Sequence, residues 1–138
     1  MIRILHVLHI MNYAGTETLL MNIYRNVDRN QIQFDFAVCD VSIGDYDEEI
    51  KSLGGRLIYY PRYKGINHFL YKKWWNSFFR EHKEYCIVHG HIGSTAAIYL
   101  SIANKYGCYT IAHSHATDSH IQNIKEKYIN FIHILQDG

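Results

Sequence analysis

Two pairs of histidines and one glycine-bearing loop hold the side chains of this sequence that are best equipped for chemistry. The pairs are His89-Gly90-His91 and His113-Ser114-His115, each closing a short apolar run. Imidazole titrates near neutral pH, so such residues donate to a sugar hydroxyl or a phosphate, or move a proton as general acid or base. In an extended strand residues two apart share a face, which sends His113 and His115 to one side. The loop is Asn12-Tyr13-Ala14-Gly15-Thr16-Glu17, between an apolar run and a helix-like segment. Gly15 allows φ > 0 and close approach of backbone. Amides of Thr16, Glu17 and Thr18 at a helix start suit an anion or a sugar hydroxyl. The competing reading is a tight turn that needs its glycine for geometry alone. The loop does not spell the GxGxxG fingerprint, and no GK[ST] phosphate loop occurs in the chain.

The HxH pairs also invite zinc, through His89, His91, His113 and His115. Metal-bound imidazoles are normally oriented by a carboxylate behind them. Asp118 is the sole nearby candidate, so no metal is expected. His6, His9, His68, His82 and His133 read as packing or surface residues.

These groups need a scaffold, and the apolar periodicity supplies one. Strands are expected over residues 2–10, 34–39, 56–60, 86–90 and 109–113. Helices are expected over 17–27, 46–53, 66–83, 94–106 and about 121–135. Leu19, Leu20, Ile23, Tyr24 and Val27 recur at helical spacing. Gly54-Gly55 closes the second helix and Pro61, the only proline, stops the third strand. Strands alternating with helices, and reading as near-continuous apolar runs, predict an α/β fold: a Rossmann-like, doubly wound parallel sheet filling residues 1–138 as one domain. Ligands of such sheets bind outside the carboxyl ends of the strands.

The long helix adds a second feature. Leu70, Tyr71, Trp74, Trp75, Phe78 and Phe79 cover one half of its wheel, and Lys72, Lys73, Asn76, Arg80 and Lys83 the other. An apolar face opposite a basic one docks on a sheet or lies in a membrane interface. The two are compatible if Lys72, Lys73, Trp74, Trp75 and Phe79 stay near a lipid surface. Apolar residues make up 48% and charged ones 20%, which is globular rather than disordered. A net charge of +1 gives no reason to expect nucleic acid as partner. Cys39, Cys86 and Cys108 are widely spaced and form no CxxC pair, which reads as a reducing compartment without disulfides. With no signal-peptide pattern and no spanning apolar stretch, a cytoplasmic location is expected, peripheral to the inner face of the membrane.

The segments Ile2-Arg-Ile-Leu-His-Val7, Ala14-Gly-Thr-Glu-Thr-Leu19, Ile87-Val-His-Gly-His91 and Ile111-Ala-His-Ser-His-Ala-Thr117 resemble the N-terminal half of bacterial family 4 glycosyltransferases, which build capsular, exopolysaccharide and lipopolysaccharide chains. The resemblance implies the GT-B fold, with two Rossmann-like domains across a cleft. The N-terminal one mainly binds the acceptor, a lipid-linked saccharide, and the C-terminal one the nucleotide-sugar donor. It implies retention of anomeric configuration without a cofactor or divalent metal. Ala14, Gly15, Thr16 and Glu17 correspond to the family's Gly-Gly-x-Glu loop near the donor phosphates and the acceptor. His115 would contact the donor sugar, flanked by Ser114 and Thr117, with His91 in the same cleft. Alanine at position 14 departs from the pattern and would cost on the order of 1 kcal/mol if that position required φ > 0. The family's donor-binding half has no counterpart in these 138 residues. The chain is therefore expected to be inactive alone and to expose an apolar patch near residues 118–135 that drives self-association. Two other readings stand beside this one: a non-catalytic Rossmann-like binding module, or one subunit of a split glycosyltransferase.

Overall fold

A computed structural model of the chain describes residues 1–113. The elements run β1 (Ile2–Val7), α1 (Gly15–Asn26), β2 (Ile32–Val38), α2 (Asp47–Ser52), β3 (Leu57–Tyr59), α3 (His68–Glu81), β4 (Tyr85–Gly90), α4 (Ala96–Lys105) and β5 (Tyr109–Ala112). All strand pairs are parallel, in the order β3-β2-β1-β4-β5. The expected α/β, Rossmann-like parallel sheet is thus observed, and the strand order reverses between β1 and β4. The helix expected at 121–135, the apolar patch expected at 118–135, and Ser114, His115 and Thr117 lie outside the described residues.

Period-two alternation along the strands divides the core. Ile4, Phe34, Phe36, Val38 and Ile87 pack with Leu20, Met21 and Tyr24 of α1 and Ile50 of α2. Leu5, Val7, Ala37 and Val88 face the other way, onto Tyr71, Trp75, Phe78 and Phe79 of α3 and Tyr99, Ile102 and Ala103 of α4. Trp75 and Phe79, expected near a lipid surface, are instead buried in this second layer at 0% and 1% exposure. Trp74 is half-buried and stacks on Phe78 at 5.2 Å between centroids. Removing either buried ring from a packed core costs about 3–5 kcal/mol, which holds α3 on the sheet. Lys72 and Lys73 are exposed as expected, while Phe69 and Leu70 in the helix's first turn, with Ile66 just before it, form an exposed apolar edge. Among the described residues no helix is long and apolar enough to cross a membrane. Cys86 is exposed rather than tucked into the core, and Cys108 is the buried thiol, donating to the Tyr85 carbonyl at 3.2 Å.

β1 is shorter than its apolar run. From Leu8 the backbone leaves the strand line and is bound sideways: the Leu8 amide donates to Ala37 O at 2.8 Å, and the Cys39 and Asp40 amides both donate to His9 O at 3.0 Å. The Tyr60 hydroxyl donates to Leu8 O at 2.7 Å.

Among the described residues, one charged group on a strand is fully buried. Asp35 on β2 accepts two bonds from the Arg3 guanidinium, both 2.9 Å, one from the Tyr85 hydroxyl at 2.6 Å and one from the Arg56 amide at 2.9 Å. Burial and the adjacent carboxylate push the Tyr85 hydroxyl's pKa well up, so it stays a donor. Arg3, Asp35 and Tyr85 lie on β1, β2 and β4, so the network crosses the central three strands. Losing one partner of a buried pair leaves an uncompensated charge. Arg3→Met is therefore expected to lower the unfolding free energy by about 3–5 kcal/mol, read from urea denaturation.

Candidate functional site

The strand order reverses between β1 and β4, and in such sheets ligands usually bind beyond the carboxyl ends of the strands at that point. Val7 and Gly90, the last residues of these strands, are register partners. The loop 8–14 and the start of α1 therefore sit beside His91.

Gly15 begins α1, and Ala14 is its N-cap without a side-chain hydrogen bond. Ala14 is extended, with φ −139° and ψ 168°, so the expected strain penalty at this position does not arise. Gly15 does not have a positive φ either, since among the described residues only Gly54, Gly65 and Gly107 do. A Cβ built on Gly15 meets nothing within 4 Å. The tight-turn reading of this glycine fails, and what remains is open space over bare backbone at a helix N-terminus. The Thr18 amide, expected to face a ligand, instead bonds Ala14 O at 2.9 Å as the first helical bond. Ala14 and Gly15 are exposed, and Thr16 and Glu17 half-buried.

This loop is braced from β2's side. The Tyr13 amide donates to the Asp45 carboxylate at 2.9 Å, and the Asp45 amide donates to Asn12 Oδ1 at 3.0 Å. Thr18 Oγ1 and the Tyr46 hydroxyl lie 2.7 Å apart, and the Tyr13 ring meets Tyr46 edge-on at 4.9 Å. From the sequence, Asp45 reads as favouring the α2 dipole. Its contact partner lies 32 residues away, so no local signal reveals it.

The histidines converge more than their spacing predicts. His6 and His89 are register partners on β1 and β4. His91 follows, its amide held to Val7 O at 3.0 Å, and the His113 amide is held to Gly90 O at 3.0 Å. All four side chains are buried, at 0%, 1%, 7% and 9% exposure for His6, His89, His91 and His113. His6 Nδ1 is 3.2 Å from His91 Nε2, and His91 Nδ1 is 3.4 Å from His113 Nδ1. The His89 ring stacks on His91 at 4.1 Å between centroids. A neutral imidazole has one N–H and one lone pair. His91 must therefore donate through one ring nitrogen and accept through the other, so the three rings run head to tail. His6 itself is packed edge-on against Phe34 at 4.4 Å and stacked near Phe36 at 5.4 Å. Sequence reasoning left His6 as a strand residue. The available signal was alternation, which puts Ile4, His6 and Leu8 on one face, combined with a register that sequence does not supply.

A bacterial protein is similar to this chain in sequence. The Bacillus subtilis (strain 168) protein named "Putative glycosyltransferase EpsF" is 37% identical over 116 residues, covering 83% of this chain. The chain is a relative of a bacterial glycosyltransferase. The likeness to a bacterial glycosyltransferase drawn from the four sequence segments is borne out by this match. This chain spans about 30% of that relative's length. No family model and no solved structure matches the chain.

Burial pushes the His6 pKa down from 6.5 to about 3. Folded His6 thus stays neutral through mild acid, whereas unfolded His6 protonates near 6.5. Between those values the unfolded chain binds more protons, so stability falls as pH drops below the unfolded pKa, by up to ~1.4 kcal/mol per pH unit. Urea midpoints measured from about pH 7 to about pH 5 should fall accordingly, and His6→Phe should flatten that dependence.

Proposed function

We propose that this chain is the acceptor-side, N-terminal half of a retaining, family 4 glycosyltransferase of GT-B architecture. The complete enzyme moves a sugar from a nucleotide-sugar donor to a lipid-linked saccharide acceptor in cell-surface polysaccharide assembly, such as capsule. The observation that carries this reading is the identity to a named glycosyltransferase over most of the chain.

The crevice geometry supports the ligand position. Bare backbone at Gly15 lets an oxygen approach the chain closely, and the positive end of the α1 dipole favours a phosphate there. In this reading Ala14, Gly15, Thr16 and Glu17 line the donor phosphates and the acceptor. His91 flanks them from β4, His115 contacts the donor sugar, and Ser114 and Thr117 stand beside it. The donor-binding domain lies in polypeptide beyond these residues. Transfer takes the nucleotide-sugar as substrate and uses no metal or other cofactor.

The reading is tested with a complete protein that carries residues 1–138 at its N-terminus. It should pass labelled sugar from a panel of nucleotide-sugars to a membrane lipid extract. Gly15→Leu, which fills the open space over the loop, should lower kcat/KM by about 100-fold with little loss of stability. The 138-residue chain alone should transfer nothing, and turnover by it alone overturns the half-enzyme reading.

The same reading places this half peripherally at the inner face of the membrane, where a lipid-linked acceptor resides. Its contact edge is Ile66, Phe69 and Leu70, at 96%, 83% and 68% exposure, beside exposed Lys72 and Lys73. Apolar side chains enter the interface and the ammonium groups meet anionic headgroups. The chain should sediment with phosphatidylglycerol vesicles and not with phosphatidylcholine ones. Replacing Phe69 and Leu70 together by serine should weaken that binding about tenfold.

A further inference from the structure

We propose that His6, His89 and His91 form a site for one divalent transition-metal ion, zinc by ligand chemistry, which ties β1 to β4 beneath the crevice. One ring nitrogen from each of the three lies within 4.8 Å of the others, and all three rings are buried. Tetrahedral zinc with Zn–N near 2.0–2.1 Å holds its nitrogens about 3.4 Å apart. His6 Nδ1 and His91 Nε2 are already 3.2 Å apart. Bringing the widest pair to ligand spacing needs ring rotations of roughly an ångström or so, not backbone movement.

The backbone that presents these rings is held on several sides. Parallel pairing sets His6 opposite His89, and the bond from the His91 amide to Val7 O closes the next step of the ladder. The HxH spacing thus becomes a three-residue set only because a neighbouring strand contributes His6. The expectation of no metal rested on the lack of a carboxylate behind the two HxH pairs and did not bring in His6 from β1.

Ligand type selects the ion. Three imidazole nitrogens without a carboxylate suit zinc, copper, iron or nickel, and not calcium or magnesium, which take oxygen ligands. Neutral imidazole is the form that ligates. Three protein ligands leave a fourth position for water, and His113, with Nδ1 3.4 Å from His91 Nδ1, holds the ring nitrogen of His91 that faces away from the ion. The metal-free state keeps the head-to-tail imidazole contacts. Loading requires His6 to carry its proton on Nε2 and His91 on Nδ1, so that the His6 Nδ1 and His91 Nε2 lone pairs both face the ion. The ion is structural here and takes no part in sugar transfer, so its fate is independent of the glycosyltransferase reading.

The test uses the 138-residue chain, stripped with a chelator, dialysed and titrated with Zn²⁺ and with Co²⁺. One equivalent of zinc should bind with Kd below about 1 μM, raise Tm, and survive dialysis. Bound Co²⁺ should show the intense visible absorption of a tetrahedral site. His91→Gln should weaken binding by at least about 100-fold, while His9→Ala, an exposed position, should leave it unchanged. No uptake, weak octahedral-type Co²⁺ absorption, or undiminished binding in a folded His91→Gln chain overturns the proposal. The Co²⁺ spectrum of the unaltered chain decides even if the variant fails to fold.

Discussion

β1 is hydrogen-bonded along both edges, to β2 and to β4, and every described candidate group is positioned from that pairing. Side chains alternate across a strand, so a one-residue slip would send all of them to the opposite face. Such a slip would turn His6 from the α1 side to the layer packed by α3 and α4. It would also separate His6 from His89 and detach Leu8 and His9 from the bonds that turn the chain toward β2. The crevice and the imidazole cluster are two consequences of one register.

The buried polar groups of the central strands divide by end and by face. At the amino end, on the α3 and α4 side, Asp35 is surrounded by donors from Arg3, Tyr85 and Arg56. Its hydrogen bonds have fixed direction, because guanidinium and amide donate and a carboxylate accepts. That network specifies which strands adjoin. At the carboxyl end, on the α1 side, the imidazoles have interchangeable donor and acceptor atoms. Their hydrogen bonds set positions but not polarity, which leaves them able to meet a hydroxyl or an ion. Structural rigidity at one end and chemical latitude at the other is the division expected of a sheet whose ligands approach from the carboxyl side.

The surface follows the same polarity. Tyr13, Val41 and Ile43 are exposed on loops that leave β1 and β2, and Ile66, Phe69 and Leu70 are exposed where the chain passes from β3 into α3. All six lie toward the carboxyl end of the sheet. Scattered exposed apolar residues are ordinary, whereas a concentration at one end marks a contact surface. In the function proposed above, that end is the one turned toward the cleft and the membrane. The close packing of Trp75, Phe79 and Tyr99 behind it keeps α3 seated while its edge stays available.

Much of the architecture was legible in the sequence. Apolar periodicity decided the order of strands and helices, and the α/β class follows from their alternation, because a strand covered on both faces and a helix covered on one differ in pattern. Local chemistry also located the loop around Gly15 and, at strand ends, the His89/His91 pair and His113. The family resemblance was readable from short segments in order. What the sequence could not decide was which residues meet across strands. Asp45 braces Tyr13 from 32 positions away, His6 joins His89 and His91 from more than 80, and Trp75 and Phe79 turn inward because α3 has a second layer to dock on. Propensity and spacing act within a few residues, so they determined the elements and the kind of chemistry available. The contacts that assemble a site depend on strand register and helix docking, which arise from burial summed over the whole sheet, and only the tertiary structure decided those.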